Sequence, residues 1–260
     1  MASTTTYKNG TPKISTADQR LKHELSPRWI SVEFNDEFVA DSKDVLLVWD
    51  RGHSPVYYFP PEDVRPAFLE PGREGSYGRQ YFDVVVGDRE AEAAAWSYPD
   101  PAAERDFLAG YITFKWNKMD HWYEEEEEVF VHARDPYHRV DSMPSLRHIR
   151  VEVNGVTVAD SRRPVLLFET NLPTRYYLPQ EDIRMDLLEA TRASTLCPYK
   201  GAASYWSVKI EDKSYRNIVW GYLNPIAESP KIEGLLSFFN EKVDIYVDGL
   251  LEHRPQTDWS

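Results

Sequence analysis

Several features that assign chains to a functional class are scarce in this sequence. It has one cysteine, so no disulfide can form within the chain, and this thiol content is typical of a reducing compartment. The longest aliphatic run, Val45 to Trp49, has the length of a strand and is far too short to span a membrane. Met1 to Arg28 lacks the apolar core of a secretory signal. We therefore predict a cytoplasmic protein that does not enter a membrane.

Positive charge is also scarce. The 260 residues include 30 Lys and Arg against 43 Asp and Glu, which gives a formal net charge of −13. No stripe of clustered Lys and Arg offsets this excess. Because phosphate backbones and anionic membrane surfaces are repelled by such a chain, nucleic acid is not predicted as a partner.

Aromatic residues, in contrast, are abundant. The chain has 8 Trp, 16 Tyr and 11 Phe, and aromatic residues favour strands. Ile30, Val32 and Phe34 alternate with polar residues, and Asn35-Asp36 supplies a turn, which is typical of a β-hairpin. The sequence therefore predicts a mainly β protein.

The sequence contains an internal duplication. Arg28 to Arg65 aligns without a gap on Arg147 to Arg184, and Tyr81 to Asp120 then aligns on Tyr205 to Asp244 after a connection that is longer in the second copy. The alignment predicts a disordered leader at 1–27, a first repeat at 28–124, an acidic bridge at 125–146, a second repeat at 147–250 and a tail at 251–260.

Each repeat is predicted to contain one helix near its end, followed by a final strand. Asp100-Pro101 and Ser229-Pro230 both supply a helix start signal before apolar residues at helical spacing. We predict that each repeat is a small antiparallel β-sandwich or curled sheet with this one helix near its end. The two repeats are expected to pack as a pseudo-dimer within a monomeric chain.

The longer connection of the second repeat carries the single cysteine. Pro198 and Gly201 are typical of a surface turn, in which Cys197 would be a small buried apolar residue. Alternatively, Lys200 lies close enough in sequence to stabilise a reactive Cys197 thiolate. Both interpretations stay open, and no thiol-hydrolase motif is present.

A second difference between the repeats lies in their last strand. His121 aligns with Ile245, which predicts an inward-facing histidine in place of an aliphatic residue. Such a histidine is either a satisfied core residue or a catalytic base.

The bridge is strongly acidic. Glu124 to Glu128 is either a solvated charged face or a surface that docks a basic partner. His132 and His138 do not match the spacing of a close pair of metal ligands, so no metal site is predicted.

These differences and the aromatic residues define a candidate site. The candidate catalytic residues are Cys197, Lys200 and His121. The candidate ligand-binding residues are Tyr199, Glu169, Arg175, Tyr205, Trp206, Trp220, Tyr222, Tyr137, His138 and Arg139.

Longer motifs resemble a known family. They are Cys197-Pro-Tyr-Lys-Gly, Tyr205-Trp206, Trp220-x-Tyr222, Phe238-Phe239-Asn240-Glu241, Met119-Asp120-x-Trp122-Tyr123 and Arg134-Asp135-Pro136-Tyr137-His138-Arg139. On these motifs the chain, from residue 28 to about 250, resembles a tandem form of the family called domain of unknown function 427. This resemblance implies a nucleotidyltransferase-like label but no established reaction.

The label requires a Gly-Ser turn followed by two acidic residues that bind a metal on a strand. Gly75-Ser76 and Asp88-Arg89-Glu90 match this order. However, Gly87-Asp88 is typical of a hairpin turn, and the second repeat has Glu211-Asp212-Lys213-Ser214 there. Nucleotidyl transfer and metal-dependent catalysis are therefore the less favoured functions.

Two functional hypotheses remain. In the first, the protein is an enzyme or binding protein for a small molecule, with an aromatic and cationic pocket in the second repeat or between the repeats. Lys200 and Arg175 would hold an anionic group, and no cofactor is identified. In the second, the protein is a non-catalytic interaction module whose acidic bridge docks a basic partner.

Overall fold

The computed structural model describes residues 21–50 and 53–260, so most of the predicted disordered leader lies outside the described residues. The first repeat contains β1 (Lys22–Leu25), β2 (Ile30–Phe34), β3 (Glu37–Ser42), β4 (Leu46–Trp49), β5 (Val56–Tyr58), β6 (Leu69–Glu74), β7 (Gln80–Val86), β8 (Arg89–Ser97), β9 (Ile112–Phe114), β10 (His121–Glu124) and β11 (Glu127–Glu128). The second repeat contains β12 (Val140–Pro144), β13 (Ile149–Val153), β14 (Val156–Ser161), β15 (Val165–Glu169), β16 (Arg175–Tyr177), β17 (Leu188–Cys197), β18 (Gly201–Ile210), β19 (Lys213–Gly221), β20 (Leu236–Phe238), β21 (Asp244–Val247) and β22 (Leu250–Leu251).

Both repeats build the same antiparallel sheets. In the first repeat the strand orders are β1-β4-β5, β11-β10-β2-β3 and β6-β7-β8-β9. In the second they are β12-β15-β16, β22-β21-β13-β14 and β17-β18-β19-β20. The mainly β prediction and the duplication are confirmed, with two domain-like halves.

Period-two alternation explains the hairpin that opens each repeat. Ile30 and Val32 are fully buried in the first core, and Ile149 and Val151 take the same places in the second. The polar residues between them face outward, so each repeat has its own core below this sheet.

Each repeat begins earlier than the sequence alignment indicates. Lys22 pairs with Trp49 in β1 and β4, and Asp141 pairs with Phe168 in the corresponding β12 and β15. Residues 22–25 of the predicted leader and residues 140–144 of the predicted bridge therefore form equivalent strands.

The helix near the end of each repeat is a short 3-10 helix, at Ala103–Leu108 and Pro230–Ile232. The prediction of a longer helix is wrong, because the backbone that follows each 3-10 helix becomes extended in β9 and β20. The other 3-10 helices within residues 21–50 and 53–260 are Pro61–Asp63, Pro66–Phe68, Ser76–Gly78, Trp116–Lys118, Gln180–Asp182 and Met185–Leu187. None of the helices in the described part of the chain has the length and apolar character needed to cross a membrane.

The last strands align one residue away from the sequence alignment. Trp122 pairs with Val32, and Ile245 pairs with the equivalent Val151, so Trp122 and not His121 corresponds to Ile245. A one-residue slip turns every side chain to the other face of a sheet. The prediction of an inward His121 is therefore wrong, and its side chain is 44% exposed.

Candidate functional site

A cavity of about 390 Å³ lies in the second repeat and takes part of its wall from the bridge. This volume is within the range of small-molecule sites. The lining residues are Val131, His132, His138, Leu167, Glu169, Leu172, Arg175, Tyr177, Thr195, Leu196, Cys197, Pro198, Tyr199, Lys200, Tyr205, Trp220, Tyr222, Phe239 and Trp259.

A buried polar network lies in this wall. Glu169, at the end of β15, accepts a hydrogen bond from the Lys200 ammonium on one oxygen. Its other oxygen lies 3.0 Å from Nε2 of His138. Burial raises the pKa of the Glu169 carboxyl, but the hydrogen bond to His138 and the charge of Lys200 outweigh it, so this pKa lies below its ordinary value. The carboxylate is therefore held in its charged form between two basic side chains.

The longer connection of the second repeat positions this network. Cys197 pairs with Gly201 across a turn that places Tyr199 and Lys200 at its tip. Gly201 has φ +98°, and a Cβ there would lie 3.3 Å from the backbone nitrogen of Ile226. The turn therefore requires glycine at this position.

Tyr199 fastens this turn to the bridge. Its ring stacks on His138 with centroids 4.1 Å apart, and its hydroxyl accepts a hydrogen bond from the backbone N–H of Asp135 at 2.8 Å. Burial raises the pKa of Tyr199 to about 12. The phenol therefore stays neutral and holds the His138 ring against the cavity.

Arg175 is not free to bind an anion, contrary to the expectation from sequence. Its guanidinium donates to both oxygens of Glu241, at 2.8 and 2.7 Å, and to Asn240. Burial raises the pKa of Glu241, but the hydrogen bonds from Arg175 and Thr257 outweigh it and leave this pKa lowered. The cation is neutralised within the wall.

The rest of the lining includes six aromatic residues, Tyr177, Tyr205, Trp220, Tyr222, Phe239 and Trp259. Trp220 donates its indole N–H to the Tyr177 hydroxyl at 3.1 Å, and Tyr205 exchanges a hydrogen bond with Thr195 at 2.8 Å. Burial raises the pKa of Tyr222, whose hydroxyl has no hydrogen-bond partner among the described residues. A ligand that accepts a hydrogen bond would find this phenol available.

Cys197 lines the same cavity and is half-buried. Its side chain packs against the apolar cluster that contains Tyr177 and Trp220. The expected partner of its thiol, Lys200, is instead paired with Glu169.

Four predicted site residues lie outside this cavity. Trp206 packs into the core on the opposite face of β18 from Tyr205, because successive side chains of a strand point to opposite faces. His121 pairs with Glu128 at 2.6 Å, and this hydrogen bond raises its pKa. Tyr137 and Arg139 also lie elsewhere.

Tyr137 and Arg139 make contacts outside the second repeat's cavity. The Tyr137 hydroxyl donates to Glu24 at 2.7 Å, and its ring lies 3.7 Å from the Lys22 ammonium. Arg139 is 77% exposed and pairs with Asp141 at 2.7 Å.

The acidic run of the bridge is not uniformly solvated. Glu124 is 3% exposed and accepts hydrogen bonds from Arg28, Tyr57 and Arg134. Arg134 also pairs with Glu228 of the second repeat at 3.0 Å. The first of the five glutamates therefore belongs to the contact between the repeats.

Sequence reasoning missed His132 and Trp259. Trp259 lies in the predicted tail, where Thr257 donates to Glu241 at 2.7 Å and brings the indole over the Arg175 guanidinium. The sequence signal for Trp259 was the presence of a large aromatic residue within a polar segment.

Within residues 21–50 and 53–260, no group of three His, Cys, Asp or Glu side chains is arranged to hold a metal ion.

Comparison with known proteins identifies the family but no function. None of the curated proteins matches the chain. The model of the family described as domain of unknown function (DUF427) matches residues 22–125 and 141–249. These two segments cover the two sets of sheets except the edge strands β11 and β22, and the chain therefore belongs to the DUF427 family, of which it contains two tandem copies.

Proposed function

We propose that the second repeat binds a neutral, planar small molecule that carries a carbonyl oxygen. The observation that supports this most strongly is the network of Lys200, Glu169 and His138, which lies in the wall of an aromatic cavity.

The charge of the cavity favours a neutral ligand over an anion. Lys200 is compensated by Glu169, and Arg175 is compensated by Glu241. An anion would therefore meet little net positive charge and would still lose its hydration. A carbonyl group costs less to bury and can accept hydrogen bonds.

Lys200 is the principal donor in this proposal. An ammonium group has three N–H donors, and Glu169 takes one of them. Tyr222 offers a second donor, because its hydroxyl has no partner among the described residues. Together they would fix the carbonyl end while the aromatic walls contact the planar body.

Comparison with the first repeat supports a role for the two buried ion pairs beyond building the fold. Asp50 replaces Glu169, Val56 replaces Arg175 and Asn117 replaces Glu241 at the aligned positions. Asp50 is 42% exposed and pairs with Arg105 instead. The same sheets therefore form without the buried ion pairs.

The same network could also transfer a proton. His138 and Lys200 both contact the Glu169 carboxylate, so a proton lost at one end can be replaced from the other. Donation to a bound carbonyl oxygen would make the carbonyl carbon more electrophilic. Cys197 lies in the same lining and is a candidate nucleophile by residue type.

Binding is tested with two probes that share one ring system. The ketone 6-propionyl-2-dimethylaminonaphthalene is neutral and changes its emission in apolar surroundings, whereas 6-dimethylamino-2-naphthoate is anionic. We expect saturable, blue-shifted emission with the ketone and binding at least about tenfold weaker with the carboxylate. Equal or tighter binding of the carboxylate would contradict the proposal.

Variants locate the ketone probe. Tyr222→Phe removes one unpartnered hydroxyl and should weaken binding about fivefold, which corresponds to one lost hydrogen bond. Trp206→Phe is the matched control, because Trp206 packs on the opposite face of β18, and it should leave binding unchanged. Equal effects of the two substitutions would place the probe elsewhere.

A further inference from the structure

A second cavity lies on the outer face of the first repeat, away from the proposed ligand site. Its volume is about 240 Å³, and three aromatic residues and three carboxylates line it together with one serine. The lining residues are Trp29, Ser31, Phe38, Asp41, Tyr123, Glu125 and Glu126. We call it the outer cavity.

The strand register brings these residues together. Ser31 on β2 lies between Tyr123 on β10 and Asp41 on β3, so the three side chains share one face of the sheet. Phe38 contributes a second ring, 6.2 Å from that of Tyr123 and nearly perpendicular to it. Ser31 is the smallest of these side chains and forms the floor of the outer cavity.

The second repeat has the same strand register at this place, with an arginine at the position of Ser31. Arg150 lies between Tyr246 and Asp160, in the register that Ser31 has between Tyr123 and Asp41. The Arg150 guanidinium carbon lies 4.0 Å from the centroid of the Tyr246 ring. The same guanidinium pairs with Glu152, whose counterpart in the first repeat, Glu33, does not line the outer cavity. In the first repeat serine replaces this arginine, and Tyr123, which corresponds to Tyr246, lines the outer cavity.

The negative charge of the outer cavity is complementary to a guanidinium group. Asp41 accepts hydrogen bonds from Ser31 and Trp29, and Glu125 accepts one from the Trp29 backbone at 3.0 Å. Glu126 has neither a hydrogen bond nor an ion pair among the described residues, and Gly249 takes its place in the second repeat. Compared with the second repeat, the first repeat thus has one more carboxylate, Glu126, and one cation fewer, because Ser31 stands in the position of Arg150.

Its aromatic surface also fits a cation. The face of an indole or phenol ring attracts ammonium and guanidinium groups. Lys43, which does not line the outer cavity, already places its ammonium 4.5 Å from the centroid of Trp29. Phe38 is 42% exposed, and the second repeat has Thr157 at that position, so the fold does not require this ring.

We infer that the outer cavity binds the guanidinium group of a small molecule against Tyr123, the ring that corresponds to the one Arg150 contacts in the second repeat. The carboxylates supply the charge complement, and the three rings supply the faces on which a planar cation stacks. This site is independent of the carbonyl ligand proposed for the second repeat.

The test compares methylguanidinium with methylurea, which has a similar planar shape but no charge. The ¹H–¹⁵N signal of the Trp29 indole, assigned from Trp29→Phe, is followed at constant ionic strength in sodium chloride. We expect a saturable shift with methylguanidinium and none with methylurea. An equal shift with methylurea would overturn the inference, because the outer cavity would then recognise shape without charge.

Ser31→Arg recreates the arrangement of the second repeat and should abolish the methylguanidinium shift with no loss of thermal stability. Phe38→Thr, which also imports the residue of the second repeat, should weaken binding about threefold to tenfold. Phe168→Thr is the matched control, because Phe168 is similarly exposed, at 41%, but does not line the outer cavity. Undiminished binding in folded Ser31→Arg would overturn the inference.

Discussion

The buried pair of Lys200 and Glu169 makes an asymmetric prediction about stability. Their side chains are 8% and 6% exposed, so each depends on the other for compensation of its charge. Removing one partner leaves a buried charge and costs about 3–5 kcal/mol. We therefore expect Lys200→Met and Glu169→Leu each to lower the free energy of unfolding of the second repeat by that amount.

The double variant should be far more stable than the sum of the two losses implies. Replacing both charges by apolar residues is often neutral or stabilising, because neither charge then has to be desolvated. The hydrogen bond between Glu169 and His138 is also lost, which costs about 1 kcal/mol. We expect a net loss of about 0–1 kcal/mol in Lys200→Met/Glu169→Leu.

Urea unfolding followed by tryptophan fluorescence measures these changes. Lys209→Met is the control, because Lys209 pairs with Glu189 in the same repeat at 3.5 Å but both side chains are more than half exposed. This substitution should cost less than about 1 kcal/mol. Additive losses in the double variant would refute the description of Lys200 and Glu169 as one compensated unit.

Three further predictions follow from the same cavity and its wall. The pKa of Glu169 lies below its unfolded value of 4.5, so its contribution to stability is present above that pH and is lost as the pH falls through the folded pKa. Acid titration of unfolding should therefore be steeper for the native chain than for Lys200→Met/Glu169→Leu, and identical slopes would exclude this contribution. Val131 has φ +74° in a γ-turn closed by the hydrogen bond from His132 N–H to the Phe130 carbonyl, a conformation that is strained for a β-branched residue. Thermal unfolding should therefore show a free energy of unfolding about 1 kcal/mol higher for Val131→Gly, and no such gain for Val131→Ala. The naphthalene ketone should slow the reaction of Cys197 with a thiol reagent, and an unchanged rate at saturating ketone would place the probe away from this thiol.

The sequence predicted the repeated sheets because their signals are local. Alternation such as that of Ile30 and Val32 fixes which face is buried, and the same alternation recurs in the second repeat. The first strand of each repeat was missed, because β1 and β12 share almost no residues and are identified only by pairing with β4 and β15. The slip in the last strand was missed because one residue changes the alignment very little but reverses the faces.

The candidate site was predicted in part. Cys197, Tyr199, Lys200 and Tyr205 meet in one cavity because they lie on one turn and the strand that follows it. The ionic partners were not predicted as pairs, because Glu169 and Glu241 are distant in sequence from their cations and meet them only in the folded structure. Sequence can suggest that a cation lines a pocket, but only the fold decides whether its charge is already compensated.

The bridge has a consequence for how this protein can be divided. The two family segments, 22–125 and 141–249, omit the residues that bring His132 and His138 to the cavity and the arginine, Arg134, that pairs with Glu124 and Glu228. A fragment cut at the family boundaries would retain the sheets of a repeat except its edge strand β11 or β22 but would lose one wall of the cavity. The unit that was duplicated is therefore smaller than the unit that forms the cavity, and the segment between the copies is as much a part of that cavity as the second copy is.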